Sequence, residues 1–289
     1  MKKLILLLGI TCLVLFAGCS NRNGGKIIKV MTLNLRYDNP RDSLNAWPYR
    51  ASLVARFLKE EQPDLLGMQE VLSNQFDYLD SVLKEDYADV GIGRTDGAKK
   101  GEMNPVFYRK ERFDMIRTIT FWLSTTPDVP GSISWGSSLP RIVTWIELVG
   151  KEDHQRFYFF NTHFAHDSDS ARILSSKFLL HAVDSITDGL PFIITGDLNM
   201  LPTSTGYSIL TGPYENVPLM KDSFIISEKR PYGPQFTFNG FSEKSGQGRI
   251  DYIFVRNGMG VTDQRTIVKK EKGVYISDHW PVMASVSMK

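Results

Sequence analysis

Arg141-Ile142-Val143-Thr144-Trp145-Ile146-Glu147-Leu148-Val149 and Arg156-Phe157-Tyr158-Phe159-Phe160-Asn161-Thr162-His163-Phe164 stand a short turn apart, with no helix between them. Both are dense in β-branched and aromatic residues, the composition of buried strands. Two more β-prone segments, residues 105–109 and 118–123, precede them. A fold of strictly alternating strands and helices needs a crossover between successive parallel strands. Strands that follow one another directly argue instead for antiparallel neighbours.

Outward from this run the period changes. Residues 50–61 place Leu53, Val54, Phe57 and Leu58 on one helical face, and Pro63-Asp64 ends that helix. Phe76, Leu79, Val82 and Leu83 mark a second helix. Ile173, Leu174, Phe178, Leu179 and Val183 mark a third, over residues 171–186. Further strands are expected at 26–35, 65–71, 191–195, 250–255 and 281–286. Helices early in each half, with strands following in clusters, predict an α/β fold of two packed, mainly antiparallel sheets with helices outside.

Polar residues gather at the ends of these strands. Asn34 ends the first, and Glu70 follows Leu65-Leu66-Gly67-Met68, where an acid beside a buried strand needs a partner. His163 closes an apolar run. The 191–195 strand enters Gly196-Asp197-Leu198-Asn199, a turn that presents Asp197 and Asn199 together. Asp251 stands in Arg249-Ile250-Asp251-Tyr252, and Asp278-His279 adjoin on a bend before Pro281. Taken singly, each has an ordinary structural role. Acids, amides and imidazoles collected at one rim suit a divalent cation and a phosphate ester. In that arrangement Glu70 binds magnesium, Asn34 supplies a neutral oxygen nearby, and Asp251 accepts from His279 and fixes its tautomer.

The ends and the charge bound the reading. Lys2 and Lys3, an apolar run over 4–16 and the small pair Ala17-Gly18 form a secretory leader, too short to span a membrane. Leu15-Phe16-Ala17-Gly18-Cys19 resembles the bacterial lipobox. This implies removal of residues 1–18, lipid on Cys19, a tether over 19–26 and one domain over 27–289. The expected protein is a membrane-anchored monomer in the periplasm or at the surface of a Gram-negative-type bacterium. With Cys12 lost and Cys19 lipidated, neither of the two cysteines remains for a disulfide, a zinc site or covalent catalysis. Net charge is +2, and the leader removes Lys2 and Lys3, so the remainder is near neutral. No basic stripe is visible, which disfavours tight binding to long nucleic acid. The five tryptophans follow no basic groove and are expected in the core rather than stacked on bases.

The ordered set Asn34, Glu70, Asn161-Thr162-His163, Gly196-Asp197-Leu198-Asn199, Asp251 and Ser277-Asp278-His279 resembles the endonuclease/exonuclease/phosphatase superfamily, from about residue 26 to the end. The resemblance implies a four-layer α/β/β/α sandwich. It also implies magnesium- or manganese-dependent cleavage of a phosphate ester by in-line attack of an activated water. Carried over residue by residue, it makes Glu70 the main metal ligand, with Asn34 beside it and Asp278 a further metal-site acid. Asp197 becomes the base, Asn199 positions water and phosphate, and His279, paired with Asp251, faces the phosphate together with His163. Asn34-Leu35-Arg36-Tyr37-Asp38, Arg94-Thr95-Asp96-Gly97, Gly101-Glu102, Phe121-Trp122-Leu123-Ser124 and the 141–145 segment resemble one bacterial branch of the superfamily. They add Arg36, Arg94 and Arg141 as substrate-binding candidates, Arg141 as a phosphate clamp. Many relatives read His-Leu-Asp-His after Asn-Thr. This chain reads His163-Phe164-Ala165-His166, so His166 is a substrate-side candidate without its usual acid.

The expected activity is that of a phosphodiesterase or phosphatase on a small phosphoester, a lipid head group or a short nucleic acid. A nuclease acting on DNA or RNA is the alternative. A non-catalytic binding lipoprotein predicts a broken set of residues, whereas every position here holds a competent one.

Overall fold

The computed structural model describes residues 27–244, 246 and 248–288. The expected leader, Cys19 and the expected tether lie outside the described residues. Among those described, no helix is long and apolar enough to cross a membrane.

The first half of the chain runs β1 (Ile27–Asn34), α1 (Trp47–Glu61), β2 (Leu65–Gln69), α2 (Ser73–Leu83), β3 (Tyr87–Val90), β4 (Val106–Arg109) and β5 (Phe113–Trp122). It continues through β6 (Ile142–Gly150), β7 (Arg156–His163), α3 (Asp169–Thr187), β8 (Phe192–Asp197), α4 (Thr205–Thr211), β9 (Lys221–Asp222) and α5 (Ser223–Ile226). The last elements are β10 (Asp251–Arg256), β11 (Met259–Thr266), β12 (Lys270–Glu271), β13 (Val274–Tyr275) and β14 (Val282–Met288).

Two six-stranded sheets result, ordered β11-β14-β1-β2-β4-β3 and β5-β6-β7-β8-β10-β9. Each has one parallel pair at its centre, β1–β2 and β7–β8, and is otherwise antiparallel. A long helix bridges each parallel pair, α1 in the first sheet and α3 in the second, as a parallel connection requires. The expectation of mainly antiparallel sheets holds.

Three apolar layers glue the sandwich. Ile28, Val30 and Leu65 of the first sheet meet Phe157, Phe159, Ile193 and Ile253 of the second. Met31, Leu33, Leu66 and Met68 point the other way, under Val54, Phe57 and Leu58 of α1. Trp145, Phe160, Ile194 and Phe254 lie under Leu179, Leu180 and Val183 of α3. Alternate residues of a strand thus serve opposite faces, and the order of layers is α/β/β/α. Trp47, Trp122, Trp145 and Trp280 are buried, as expected of core residues, whereas Trp135 is half-buried against the core.

Five strands escape the sequence pattern: β9, β12 and β13, each two residues long, and the sheet edges β3 and β11. β11 carries Thr262, Asp263, Gln264 and Arg265 and a register shift between Val261 and Asp263. An edge needs only one apolar face and tolerates a bulge, so its alternation is weak. β3 is four residues long. Glu70, expected inside a strand, instead stands just past β2 in a left-handed conformation with φ 58°.

Candidate active site

The site arises where the inward face of each central strand changes from apolar to polar. Along β1 the inward series is Ile28, Val30, Thr32, Asn34; along β2 it is Leu65, Gly67, Gln69. Along β7 it is Phe157, Phe159, Asn161, His163, and along β8 Ile193, Thr195, Asp197. β10 runs antiparallel to β8, with Asp251 paired to Asp197, so its first residue meets the same rim. Below the rim, Asn161 Nδ2 donates to Met68 O at 2.6 Å and Pro105 O at 2.9 Å, while Asn161 Oδ1 accepts from Gln69 Nε2 and Thr195 Oγ1. This amide ties the two sheets together. Gly67 makes room for it: a Cβ there would collide with Thr195 Oγ1 and stand 2.6 Å from Asn161 Oδ1.

Above it opens a cleft of about 720 Å³ lined by Glu70, Asp278, Asp197, Asn199, His163 and His279, with Arg36, Arg141 and His166 at its sides. Residues far apart in the sequence therefore converge as expected. Arg36, Glu70 and Asn199 hold left-handed backbone at φ 60°, 58° and 49°. Such conformations are unfavourable for residues other than glycine and gather at functional sites.

The hydrogen bonds define roles. Asn34 Nδ2 donates to Glu70 Oε1 at 3.1 Å and Asp197 Oδ2 at 2.9 Å. Its oxygen accepts from the Arg36 backbone N–H at 2.9 Å. Asn34 therefore orients the two acids, and its oxygen is not turned to a cation as the sequence reading had it. His279 Nδ1 donates to Asp251 Oδ2 at 2.9 Å, leaving Nε2 3.8 Å from Asp197 Oδ2. Asp251 stands behind the imidazole and holds it. Asn199 Nδ2 donates to His163 Nε2 at 2.9 Å, so the His163 proton lies on Nδ1, a buried atom with no hydrogen-bond partner, 4.0 Å from Glu102 Oε2. Arg141 donates to His166 Nδ1 at 2.9 Å, while its buried Nε and Nη1 find no acceptor.

Two arginines read differently from expectation. Arg94 spends its fork on Glu102, with both bonds at 2.8 Å, and does not line the cleft. It holds Glu102, which does line it. Arg36 lines the cleft but is bonded at two points to Asp42, lying 4.0 Å from Glu70 and 3.7 Å from Asp278. Asp42 and Phe238 were not foreseen. Phe238 is 45% exposed, its ring edge-on to His279 at 5.1 Å. Both sit in polar loops that carry no periodic signal.

Burial and charge set the protonation states. Burial, reinforced by Asp251, pushes Asp197 up to about 7, against the pull of His279 and the Asn34 bond. Burial also raises Asp278, opposed by His279 and reinforced by Glu70. Burial alone would lower His279, but Asp251, Asp197 and Asp278 outweigh it and hold the imidazole well above the usual histidine range. His163 is pushed well below that range by burial and by Arg141 and Arg94, and so stays neutral. Burial and Arg94 bring Arg141 down to about 10, which leaves it charged near neutrality.

The donor set fits a hard divalent cation. Arg36, Arg94 and His279 are taken by Asp42, Glu102 and Asp251. Among the described residues lining the cleft, Glu70, Asp278 and Asp197 are then left with Arg141 as the one added cation, although Arg36 stands 4.0 Å from Glu70 and 3.7 Å from Asp278 and His279 3.8 Å from Asp197. A divalent ion offsets this excess of negative charge. Asp197, Asp251 and His279 also form a buried group with ligand atoms within 4.8 Å of one another, which could hold a metal. In that group Nδ1 of His279 is spent on Asp251 and the ring is held protonated, so oxygen ligands at the Glu70–Asp278 side suit the ion better.

Comparison with known proteins agrees with this geometry. The model of the Endonuclease/Exonuclease/phosphatase family matches residues 31–279. The structure of an endonuclease/exonuclease/phosphatase from Bacteroides vulgatus is 34% identical, covers 91% of this chain and 100% of its own, and superposes with a TM-score of 0.86. A mannosyl-6-phosphatase from Bacteroides thetaiotaomicron is 31% identical over 90% of this chain and 100% of its own, with a TM-score of 0.83. An uncharacterized protein of Acanthamoeba polyphaga mimivirus is 29% identical over 275 residues, 89% of this chain and 98% of its own. By sequence, by fold and by the residues at its rim, this chain belongs to the endonuclease/exonuclease/phosphatase family.

Proposed function

We propose that this protein is a divalent-metal-dependent hydrolase of small phosphate esters, with a sugar phosphate monoester as the leading substrate. One observation carries the reading. A single cleft sets three acids against a buried arginine and a buried imidazole, each with N–H donors that have no hydrogen-bond partner. Unpaired donors beside a cluster of acids suit an anionic substrate. The likeness to a mannosyl-6-phosphatase supports a sugar phosphate, and near-neutral charge supports a small substrate over long nucleic acid.

Glu70 and Asp278 would hold magnesium or manganese, which supplies charge neutralisation at the phosphoryl and leaving oxygens. Asp197, fixed by Asn34 and by the Asn199 backbone N–H, takes the proton of the attacking water. His279 would offer its charged Nε2–H to the phosphoryl oxygens, and His163 and Arg141, which line the same cleft and keep unpaired N–H groups, would add donors to them. No covalent intermediate is needed. Export, lipidation of Cys19 and a monomeric state complete the proposal. Release from the membrane fraction by Cys19→Ala tests the anchor.

The deciding test offers the soluble domain hexose 6-phosphates, simple phosphodiesters, sphingomyelin, inositol phosphates, DNA and RNA, each with magnesium, manganese or chelator. Metal-dependent release of phosphate from a hexose monoester supports the reading. Cleavage of nucleic acid alone establishes the nuclease alternative.

A further inference from the structure

Arg50 of α1 is fully buried, yet no carboxylate bonds its guanidinium. Four of its five N–H groups go to backbone carbonyls. Nη1 donates to Leu35 O at 2.6 Å and Ile276 O at 2.9 Å, Nη2 to Arg36 O at 2.6 Å, and Nε to Asn45 O at 2.8 Å. Trp47 packs against the guanidinium, 5.1 Å from ring centroid to Cζ.

The acceptors are not arbitrary. Leu35 and Arg36 follow Asn34 and precede Tyr37, whose backbone N–H bonds Glu70. Asn45 closes the 3-10 turn that carries Asp42. Ile276 leads into Ser277, Asp278 and His279. The Ser277 hydroxyl donates back to Asn34 O at 2.6 Å, so the two segments are cross-tied. A buried cation without an acid partner is a costly way to fill space, and an apolar residue would pack at less expense.

We infer that Arg50 is a positioning residue for the acid side of the site. Its planar fork locks the end of β1, the Asp42 turn and the approach to Asp278 into one unit, and so fixes Asn34, Glu70 and Asp278 at the separation a divalent ion requires. The inference rests on the metal-site reading above, but its geometric part can be tested without metal or turnover. Lysine keeps the charge and loses the fork, since one ammonium cannot span three segments.

The experiment compares wild type, Arg50→Lys and Arg50→Ala by hydrogen exchange in the metal-free proteins and by calorimetric titration with Mn2+. In Arg50→Lys, faster exchange confined to residues 35–46 and 275–279, with affinity for Mn2+ about 10–100-fold weaker, is expected. In Arg50→Ala, millimolar ethylguanidinium should restore protection of these segments and part of the affinity, and ethylammonium should not. Wild-type exchange in Arg50→Lys, or acceleration spread evenly over the molecule, overturns the inference. If wild type binds no Mn2+, the metal-site reading fails, and the exchange pattern alone still decides whether Arg50 locks these segments.

Discussion

Asp197 is an acid kept where acids are least comfortable. Its value inside the protein is about 7, above the ordinary 3.8. A raised carboxyl contributes its stability below the unfolded value, and that contribution is lost as pH rises through the folded one. Metal-free Asp197→Asn should therefore melt higher than wild type at about pH 8, and the difference should vanish at about pH 4. The same variant should be inactive at both, and a variant less stable than wild type at the higher pH would contradict this account. Without its anionic neighbours His279 would not stay charged at neutral pH, so His279→Ala should lose about 10²–10³ in turnover, as removal of an aimed donor does. Arg141→Ala should lose about as much in kcat/KM. Arg141→Lys should recover little, because a point charge does not reproduce the free N–H pair. Steady-state kinetics on a hexose monoester measures all three.

At the scale of strands and helices, the close approach of the sheets is the weak point. Gly67→Ala should destabilise the fold by about 1–3 kcal/mol, read from urea denaturation, because its methyl group meets Thr195 and Asn161. Adding Thr195→Ala should return part of that loss, and simple additivity would show that the two residues do not touch. Much of this architecture was legible in the chain. The direct succession of β6 and β7 excluded an alternating parallel fold, and Asp197 and His163 stood at strand ends where the apolar pattern stops. The edge strands β3 and β11 were not legible, since a half-exposed edge need not alternate. Arg50 was read as the first residue of a helix, because its partners are backbone carbonyls and leave no trace in side-chain pattern. The partners of Asn34 and Arg94 are hidden in the sequence for a related reason. Sequence gives the type of a polar group, but which neighbour claims it depends on tertiary contacts.

For the molecule as a whole, the balance of charge links substrate to metal. A near-neutral chain has few counterions to release from a polyanion, so turnover of its best substrate should vary little between about 50 and 200 mM salt. A steep decline would favour a nuclease that tracks phosphates. Metal should also stabilise the fold, by about 2.7 kcal/mol at a hundredfold excess over Kd, because it binds only the assembled rim. Glu70→Gln should abolish most of that gain in a thermal melt. The most direct test of the central claim is phosphate release from a hexose 6-phosphate by wild type and Glu70→Gln, first stripped with chelator and then titrated with magnesium. The account predicts that stripped wild type is inactive and recovers with magnesium, while Glu70→Gln remains folded and does not recover at the same concentrations. Full turnover in chelator, or wild-type recovery by Glu70→Gln, would contradict it.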